Sequence, residues 1–343
     1  MKTDETLQLG RAINAGLRDA MTRDDKVIVM GEDVGQLGGV FRITEGLIDE
    51  FGSDRVVDTP LAESGIVGTA IGLAYAGYRP VVEIQFDGFI FPAYDQITTQ
   101  LAKLHYRTGG ALEVPVVVRV PYGGGIGAIE HHSESPEALF AHTAGLRIIT
   151  PATPADAYVM IQQAIACPDP VLFFEPKARY WQRGDVPTQA SEADLEISNG
   201  RLTAQGTKQM QSARVVREGT QATIVAYGPT VKTALTCAEV GQEEGMDLEV
   251  IDLRSISPID FDVIAESVRK TGRLIVAHEA PVYFGPGAEI AARITQECFY
   301  HLEAPVMRVG GFHTPYPVSA IEDHYLPGLD RILHAVEESL VYQ

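Results

Sequence analysis

The alternation of short β-branched runs with longer alanine-rich or amphipathic stretches constrains the fold of this chain more than any other feature. In the first half, helix-like segments at 64–77, 92–106 and 154–166 separate apolar runs bounded by Gly, Pro or Asp. These runs lie at 27–30, 80–84, 116–120, 147–149 and 171–174. Strands joined by crossover helices form parallel sheets. The sequence therefore predicts an α/β fold.

The alternation of predicted strands and helices stops after Pro176 and resumes at Ala222. The stretch at 181–220 is polar, contains several glycines and has no clear period, so we expect a linker there. Beyond it, strands are predicted at 222–226, 248–251, 274–278 and 305–309, and helices at 231–244, 260–270, 288–300 and 329–342. A chain of 343 residues is long for one core. We predict one domain at 1–180 and a second at 221–343.

The charge of the chain excludes some classes of partner. With 27 basic and 46 acidic residues the formal net charge is −19, which disfavours nucleic acid and anionic lipid and favours a basic protein partner. The apolar stretch 65–78 is too short to span a membrane. Three well-separated cysteines indicate neither a disulfide framework nor a zinc site. Since the N-terminus does not resemble an export signal, we expect a cytoplasmic protein.

Glu63 lies where a loop leads into the predicted helix 64–77. A carboxylate in the first turn of a helix is stabilised by the helix dipole by about 0.3–1 kcal/mol, which alone accounts for its position. Alternatively, Glu63 lies at the carboxyl end of a parallel sheet, where such folds bind ligands. The sequence leaves both interpretations open.

The same predicted helix contains glycines, each costing about 1 kcal/mol relative to alanine in a helix interior. Gly68 and Gly72 are four residues apart and share one face. Such a face allows close approach of another backbone, either within the domain or across a subunit contact.

A glycine cluster at 123–127 follows the predicted strand 116–120 and leads to His131 and His132. It matches neither a dinucleotide fingerprint nor a P-loop, so we expect mobility or close approach to a ligand rather than a nucleotide site. Histidines in a polar loop suit acid–base chemistry because their unperturbed pKa is about 6.5. Incidental surface histidines are the alternative, and the spacing does not favour a metal site.

Four aromatic residues, Phe86, Phe89, Phe91 and Tyr94, follow the predicted strand 80–84. Core packing is the default interpretation of such a run. Yet Phe86 and Phe89 come directly after the strand, where an aromatic ring could stack against a heterocyclic ligand in an apolar pocket.

Several of these segments, taken in order, resemble the beta subunits of the heterotetrameric, thiamine-diphosphate-dependent 2-oxo acid dehydrogenases. The resemblance covers nearly the whole chain. It rests on GEDVG at 31–35, GGVFR at 38–42, DTPLAE at 58–63, RPVVEIQF at 79–86, HSESPEA at 132–138, FFEPK at 173–177 and IDLRS at 251–255. The fold that the resemblance implies is a pyrimidine-binding α/β domain followed by a transketolase-type C-terminal domain.

The resemblance also implies the site. Glu63 would hydrogen-bond the aminopyrimidine ring and promote the tautomer that deprotonates the thiazolium carbon, and the cofactor would then act as the electron sink for decarboxylation. Phe89 would pack on the pyrimidine, with Leu61 and Gln85 lining its pocket. His132 would orient or protonate intermediates and assist acyl transfer to lipoamide, whereas His131 is the weaker candidate.

A structural potassium ion, held by backbone carbonyls, is a further implication of the resemblance. Its ligands would map to Val116, Ala164, Ile165, Cys167 and Asp169.

Two positions depart from the pattern of the family. His313 stands where relatives usually carry Asp, and Glu134 stands where Gln is common. The departure at His313 leaves the contacts of the C-terminal domain undetermined. The departure at Glu134 leaves the contacts of the loop around His132 undetermined.

The chain contains no Gly-Asp-Gly segment, through which thiamine enzymes hold the divalent metal of the diphosphate. We therefore expect an alpha subunit to supply the diphosphate and Mg²⁺ contacts in an α2β2 heterotetramer. The acidic end of the chain, with Glu337 and Glu338, would dock a basic domain of the lipoyl acyltransferase core.

The sequence leaves three functions open. The first is an oxidoreductase subunit acting on a branched-chain 2-oxo acid, with pyruvate or acetoin as alternative substrates. A non-catalytic scaffold with the same fold is the second. The third, a self-sufficient transketolase-like enzyme, needs a diphosphate domain for which 343 residues leave no room.

Overall fold

A computed structural model describes residues 3–342, which form two compact units. The first unit comprises 1–122 and 139–210, and the second comprises 123–138 and 211–343, each described where the structure describes it. The chain therefore passes from one unit to the other at 122/123, 138/139 and 210/211. The predicted α/β class is confirmed, but the segment 123–138, which follows a strand of the first unit, belongs to the second.

The elements up to residue 211 alternate strands and helices. The strands are β1 (Thr3–Gln8), β2 (Val27–Gly31), β3 (Val56–Asp58), β4 (Arg79–Glu83), β5 (Val117–Tyr122), β6 (Arg147–Ile149), β7 (Val171–Pro176), β8 (Arg183–Thr188), β9 (Ile197–Ser198) and β10 (Arg201–Leu202). The α-helices are α1 (Leu9–Arg23), α2 (Leu47–Phe51), α3 (Glu63–Tyr75), α4 (Ala102–Arg107), α5 (Glu137–Ala141), α6 (Pro154–Ala166) and α7 (Ala204–Gln211).

The first unit is built on a parallel sheet with the order β6-β7-β5-β4-β2-β3. Every residue of β2, β5 and β7 is buried, as expected for a parallel sheet covered on both faces. Helix α1 packs on α6, and its buried residues Leu9, Ile13 and Leu17 recur one turn apart. The sequence motifs do not predict α1.

Helix α6 begins as its sequence predicts. Thr153 adopts an extended conformation and its side chain accepts a hydrogen bond from the backbone N–H of Asp156, while Pro154 occupies the first helical position. By contrast, the predicted helix 92–106 is broken into a 3₁₀-helix at Asp87–Ala93, a π-helix at Gln96–Leu101 and α4.

The segment 181–220, expected as a linker, contains regular structure. Strand β8 pairs antiparallel with β1, and β9 pairs with β10. This pairing joins residues about 180 positions apart, for example Thr6 with Asp185. Such long-range pairing leaves no local period in the sequence.

The second unit has its own sheet, of order β11-β13-β12-β15-β16, in which β11 is antiparallel and the other pairs are parallel. Its strands are β11 (Arg214–Arg217), β12 (Ala222–Ala226), β13 (Leu248–Asp252), β14 (Ser255–Ser257), β15 (Leu274–Pro281) and β16 (Met307–Gly311). Its helices are α8 (Thr230–Glu243), α9 (Phe261–Thr271), α10 (Pro286–Glu297), α11 (Glu322–Tyr325) and α12 (Leu329–Val341).

The glycines of α3 do not cross another part of this chain closely. A Cβ at Gly72 would meet nothing within 4 Å among residues 3–342, and one at Gly68 would meet only the side chain of Gln96. The intrachain alternative is thus not realised, and a subunit contact stays as the prediction for this face. All three cysteines, Cys167, Cys237 and Cys298, are buried and free.

Candidate active site

Glu63 is the first residue of α3 and is buried, and its charge acts on a second buried carboxylate, Glu32. Glu32 directly follows β2, and the backbone N–H of Thr59 donates to the carbonyl oxygen of Gly31 at 2.9 Å. This bond ties the loop before α3 to the carboxyl end of β2. Burial, followed by the negative charges of Glu63 and Asp33, raises the pKa of Glu32.

Oε1 of Glu32 is buried and has no hydrogen-bond partner within the described range 3–342. An unpaired buried carboxyl oxygen is costly unless a ligand or a proton satisfies it. Two neighbouring buried carboxyl groups at the carboxyl edge of a parallel sheet form a site suited to exchanging a proton with a ligand.

Gln85 is linked to the same group of residues. Its Nε2 donates to Oδ2 of Asp33 at 3.1 Å and lies 3.4 Å from the carbonyl oxygen of Glu32. Leu61 precedes α3 and is 81% exposed. A bound molecule or subunit would remove that apolar surface from water.

Phe86 and Phe89 lie after β4, as the motif predicts. Their ring centroids are 6.0 Å apart and nearly perpendicular, and Phe41 contacts Phe86 from another loop. Phe89 belongs to the 3₁₀-helix Asp87–Ala93, against which α3 packs. The structure therefore places Phe89 on a segment adjoining the helix that begins with Glu63.

A buried ionic network lies beneath this edge of the sheet. Arg119 of β5 donates from Nε and Nη2 to the carboxylate of Glu175 at 2.6 and 3.0 Å, and from Nη1 to Glu83 at 2.7 Å. Tyr180 donates to Oε2 of Glu175 at 2.6 Å. Burial opposes the charge of Arg119, but Glu175 and Glu83 outweigh it and raise the arginine's pKa.

His131 and His132 end a short 3₁₀-helix, Glu130–His132, in the second unit. Their rings are 4.5 Å apart and inclined at 66°, and both side chains are half-buried. Ser133 follows, buried, with an Oγ that has no hydrogen-bond partner among the residues described. The backbone carbonyl of Glu134, one of the two departures from the family pattern, accepts the N–H of Gly123 at 3.0 Å.

The sequence-predicted site residues thus fall into two groups. Glu63, Leu61, Gln85 and Phe89 belong to the first unit, and His132 belongs to the second. The second departure, His313, lies with its ring 4.5 Å from that of Tyr283, beside a cavity of about 480 Å³ in the second unit.

Carbonyl oxygens of the predicted potassium site already accept hydrogen bonds. Val116 accepts from Val171 at 2.9 Å, and Ile165 accepts from the guanidinium of Arg79 at 3.2 Å. A cation at the Ile165 carbonyl would therefore lie beside a positive charge. The ligand set stays a prediction.

Glu32 lies in the segment GEDVG at 31–35 but has no role predicted from sequence, and the sequence motifs do not indicate the network around Arg119. An arginine inside the apolar run 116–120 is the one signal that could have revealed a buried charge needing partners. Among residues 3–342, no group of three or more His, Cys, Asp or Glu side chains is placed to hold a metal ion. Within the same range, every helix is too short or too polar to cross a membrane.

Two family models match the chain. "Transketolase, pyrimidine binding domain" matches residues 5–182, and "Transketolase, C-terminal domain" matches residues 211–332. A solved structure described as "Split gene transketolase, inactive beta4 tetramer" has a TM-score of 0.74 and covers 98% of this chain and 99% of its own, at 21% identity. That likeness supports the fold alone.

Curated relatives match over almost the full length. "Pyruvate dehydrogenase E1 component subunit beta" from Leifsonia xyli is 58% identical over 98% of this chain and 96% of its own. "3-methyl-2-oxobutanoate dehydrogenase subunit beta" from Mycobacterium tuberculosis is 52% identical over 98% of this chain and 92% of its own. "2-oxoisovalerate dehydrogenase subunit beta" from Pseudomonas aeruginosa is 42% identical over 96% and 94%.

Proposed function

Because the chain belongs to the family of 2-oxo acid dehydrogenase E1 beta subunits, we propose that it forms, with an alpha subunit, an oxidoreductase that decarboxylates a 2-oxo acid and transfers the acyl group to lipoamide. The observation that carries the proposal is the pair of buried carboxyl groups, Glu63 and Glu32, at the carboxyl edge of the sheet.

Thiamine diphosphate fits the residues that are present. The unpartnered Oε1 of Glu32 and the buried Glu63 offer polar partners to a protonatable heterocycle, and Phe89 offers an aromatic face. Glu63 would hydrogen-bond the pyrimidine ring, Phe89 would pack on it, and Leu61 and Gln85 would line its pocket. When bound, the cofactor supplies a nucleophilic carbon and an electron sink for decarboxylation.

The residues of this chain have separate tasks in the proposal. Glu63 accepts and releases a proton at its carboxylate. Glu32 keeps the surroundings of Glu63 negatively charged and shielded from water. Leu61 excludes water from the bound ring. His132 orients or protonates the reacting groups and assists acyl transfer. Mg²⁺ and the diphosphate are left to the alpha subunit, because this chain has no Gly-Asp-Gly segment.

The test is Glu63→Gln in the reconstituted α2β2 enzyme. We expect kcat to fall by about 10²- to 10⁴-fold, the usual contribution of an acid–base group, with the assembly intact. Glu5→Gln, an exposed carboxylate of the same unit, is the matched control and keeps full activity. Unchanged turnover of Glu63→Gln would favour the scaffold alternative.

Dependence on the alpha subunit is tested separately. The purified chain alone should neither bind thiamine diphosphate with Mg²⁺ tightly nor decarboxylate a 2-oxo acid. Activity of the isolated chain would overturn the division of the site between two subunits. The open glycine face of α3, around Gly72, is the surface that we propose for a subunit contact.

The sequence is the basis for proposing which 2-oxo acid the enzyme uses. FFEPK at 173–177 and EIQF at 83–86 resemble the branched-chain enzymes most, whereas the relative of 58% identity is named for pyruvate. Steady-state kinetics of the reconstituted enzyme on 3-methyl-2-oxobutanoate and pyruvate decide between them. A higher kcat/KM for pyruvate would overturn the branched-chain assignment and leave the reaction type unchanged.

A further inference from the structure

The glycine cluster at 123–127 binds carboxylates of this chain. The N–H of Gly124 donates to Oε2 of Glu279 at 2.8 Å, and those of Gly125 and Gly127 donate to the two oxygens of Glu322, both at 3.0 Å. Successive backbone N–H groups that converge in this way form an anion-binding concavity. Here the anions are side chains of the second unit, which explains the cluster without a phosphate ligand.

Glu322 is itself held in place. It is the first residue of α11 and is buried, and Tyr316, also buried, donates its hydroxyl to Oε1 of Glu322 at 2.7 Å. Burial first, and the carboxylate of Glu322 second, raise the pKa of Tyr316, so the hydroxyl keeps the proton that it donates.

Side chains are excluded from this contact. A Cβ at Gly124 would overlap the hydroxyl of Tyr316, and one at Gly127 would lie 2.9 Å from Oγ of Ser319. Gly125 and Gly127 have φ of 83° and 69°, which favours glycine. The cluster thus allows the backbone to approach one buried carboxylate closely.

The clamped loop leads directly into the turn that carries His132. The N–H of Gly123 closes the loop on the carbonyl of Glu134, and further along Tyr227 donates to Oε1 of Glu137 at 2.7 Å. The histidine turn Glu130–His132 lies between these fixed points. Its position therefore depends on where the carboxylates hold the loop.

We propose that Glu322 is a positioning residue for His132, acting through the backbone N–H groups of Gly125 and Gly127. This inference rests on the proposed role of His132. A carboxylate can accept both N–H groups at once, whereas the amide of a glutamine offers one acceptor oxygen and turns its NH₂ toward the other donor. Glu322→Gln therefore breaks one of the two contacts and leaves the side-chain volume unchanged.

The first test needs no catalysis. Amide hydrogen exchange of the full chain should be at least tenfold faster across 125–133 in Glu322→Gln than in the wild type, because an opened loop loses protection. Glu266→Gln, an exposed glutamate on α9, is the matched control and should leave exchange unchanged. Unchanged exchange in Glu322→Gln would overturn the clamp. Tyr316→Phe, which removes only the hydroxyl, gives a smaller increase and serves if Glu322→Gln fails to fold.

The second test asks whether the clamp acts through His132. In the reconstituted α2β2 enzyme, Glu322→Gln should slow acyl transfer to lipoamide about tenfold when His132 is present and by less than twofold in a His132→Ala background. An equal factor in both backgrounds indicates a merely structural role and overturns the inference. A wild-type enzyme inactive on all 2-oxo acids would instead overturn the proposed function, while the exchange experiment still decides the clamp.

Discussion

The ammonium nitrogen of Lys177 lies 2.7 Å from Oδ1 of Asp87, and neither side chain is exposed to solvent. Asp87 begins the 3₁₀-helix that carries Phe89, and Lys177 directly follows β7. The ion pair therefore joins the segments that follow β4 and β7. A buried charge that loses its partner is strongly destabilising.

Lys177→Met should lower the free energy of unfolding of the first unit by about 3–5 kcal/mol, because it removes the positive charge that neutralises the buried carboxylate of Asp87. The double variant Asp87→Asn with Lys177→Met should recover part of that loss. Urea unfolding at neutral pH measures both. Lys232→Met, at an exposed position, is the control and should change stability little. A double variant whose loss equals or exceeds the sum of the losses of Lys177→Met and Asp87→Asn alone would contradict the pairing.

Glu32→Gln should stabilise the protein at pH 8 and have no such effect near pH 4. The pKa of Glu32 is raised in the folded state, so the folded protein holds this proton more tightly than the unfolded chain does. Stability of the wild type therefore falls as pH rises above the ordinary value of 4.5 until the carboxyl is ionised in both states. Thermal unfolding across pH 4–8 measures the difference, with Glu5→Gln as the control. A stabilisation that is the same at every pH would contradict the explanation.

His278 should make the second unit sensitive to acid. The imidazole is buried between the carbonyl of Ala280, 2.8 Å from Nδ1, and the N–H of Gly287, which donates to Nε2 at 3.1 Å. Burial lowers the pKa of His278 to about 4. The unfolded chain then binds the proton more tightly, so stability is full above about pH 6.5 and falls by about 3 kcal/mol as pH drops to about 4.

Unfolding of His278→Gln across the same range measures this contribution. The variant should lose most of the slope between about pH 4 and 6.5, while it is less stable than the wild type at pH 7.5 through its altered hydrogen bonds. His334→Gln, whose side chain is 70% exposed on α12, should keep the wild-type slope. An unchanged slope in His278→Gln would assign the acid sensitivity to other groups.

Replacing Glu337 and Glu338 with glutamine should weaken docking of a basic domain of the acyltransferase core. Both side chains are exposed on α12, whereas Glu322, a further acidic residue near this end of the sequence, is buried and accepts the N–H groups of Gly125 and Gly127. We expect about a tenfold lower affinity and a shallower dependence on salt. Equilibrium binding at several ionic strengths tests this. The control is the exposed pair Glu243 and Glu244, each replaced with glutamine. An equal loss of affinity in this control would show that the net charge of the chain, and not the surface of α12, determines docking.

Local chemistry accounts for the parts of the fold that could be predicted. Strands 147–149 and 222–226 and helix α6 have the bounds that their apolar runs and the Thr153 cap indicate. Glu63 and Phe89 were placed by motif, and the structure puts both at the predicted edge of the sheet.

The missed parts depend on partners far along the chain. Strand β8 exists because it pairs with β1, and Arg119 is tolerated in β5 because Glu83 and Glu175 neutralise it. The glycine cluster looked mobile because its partner Glu322 lies almost 200 residues away. A single sequence carries no local trace of such pairs.

The three crossings of the chain between its units bear on how this protein can be dissected. A fragment ending at 210 would carry the segment 123–138 without its partners Tyr227, Glu279 and Glu322. A fragment starting at 211 would lack the glycines that donate to the carboxylates of Glu279 and Glu322. Neither piece of the gene would encode a complete folding unit. A first fragment from which 123–138 is removed would follow the boundaries of the two units. A circular permutant in which 123–138 is fused to the second fragment would do the same.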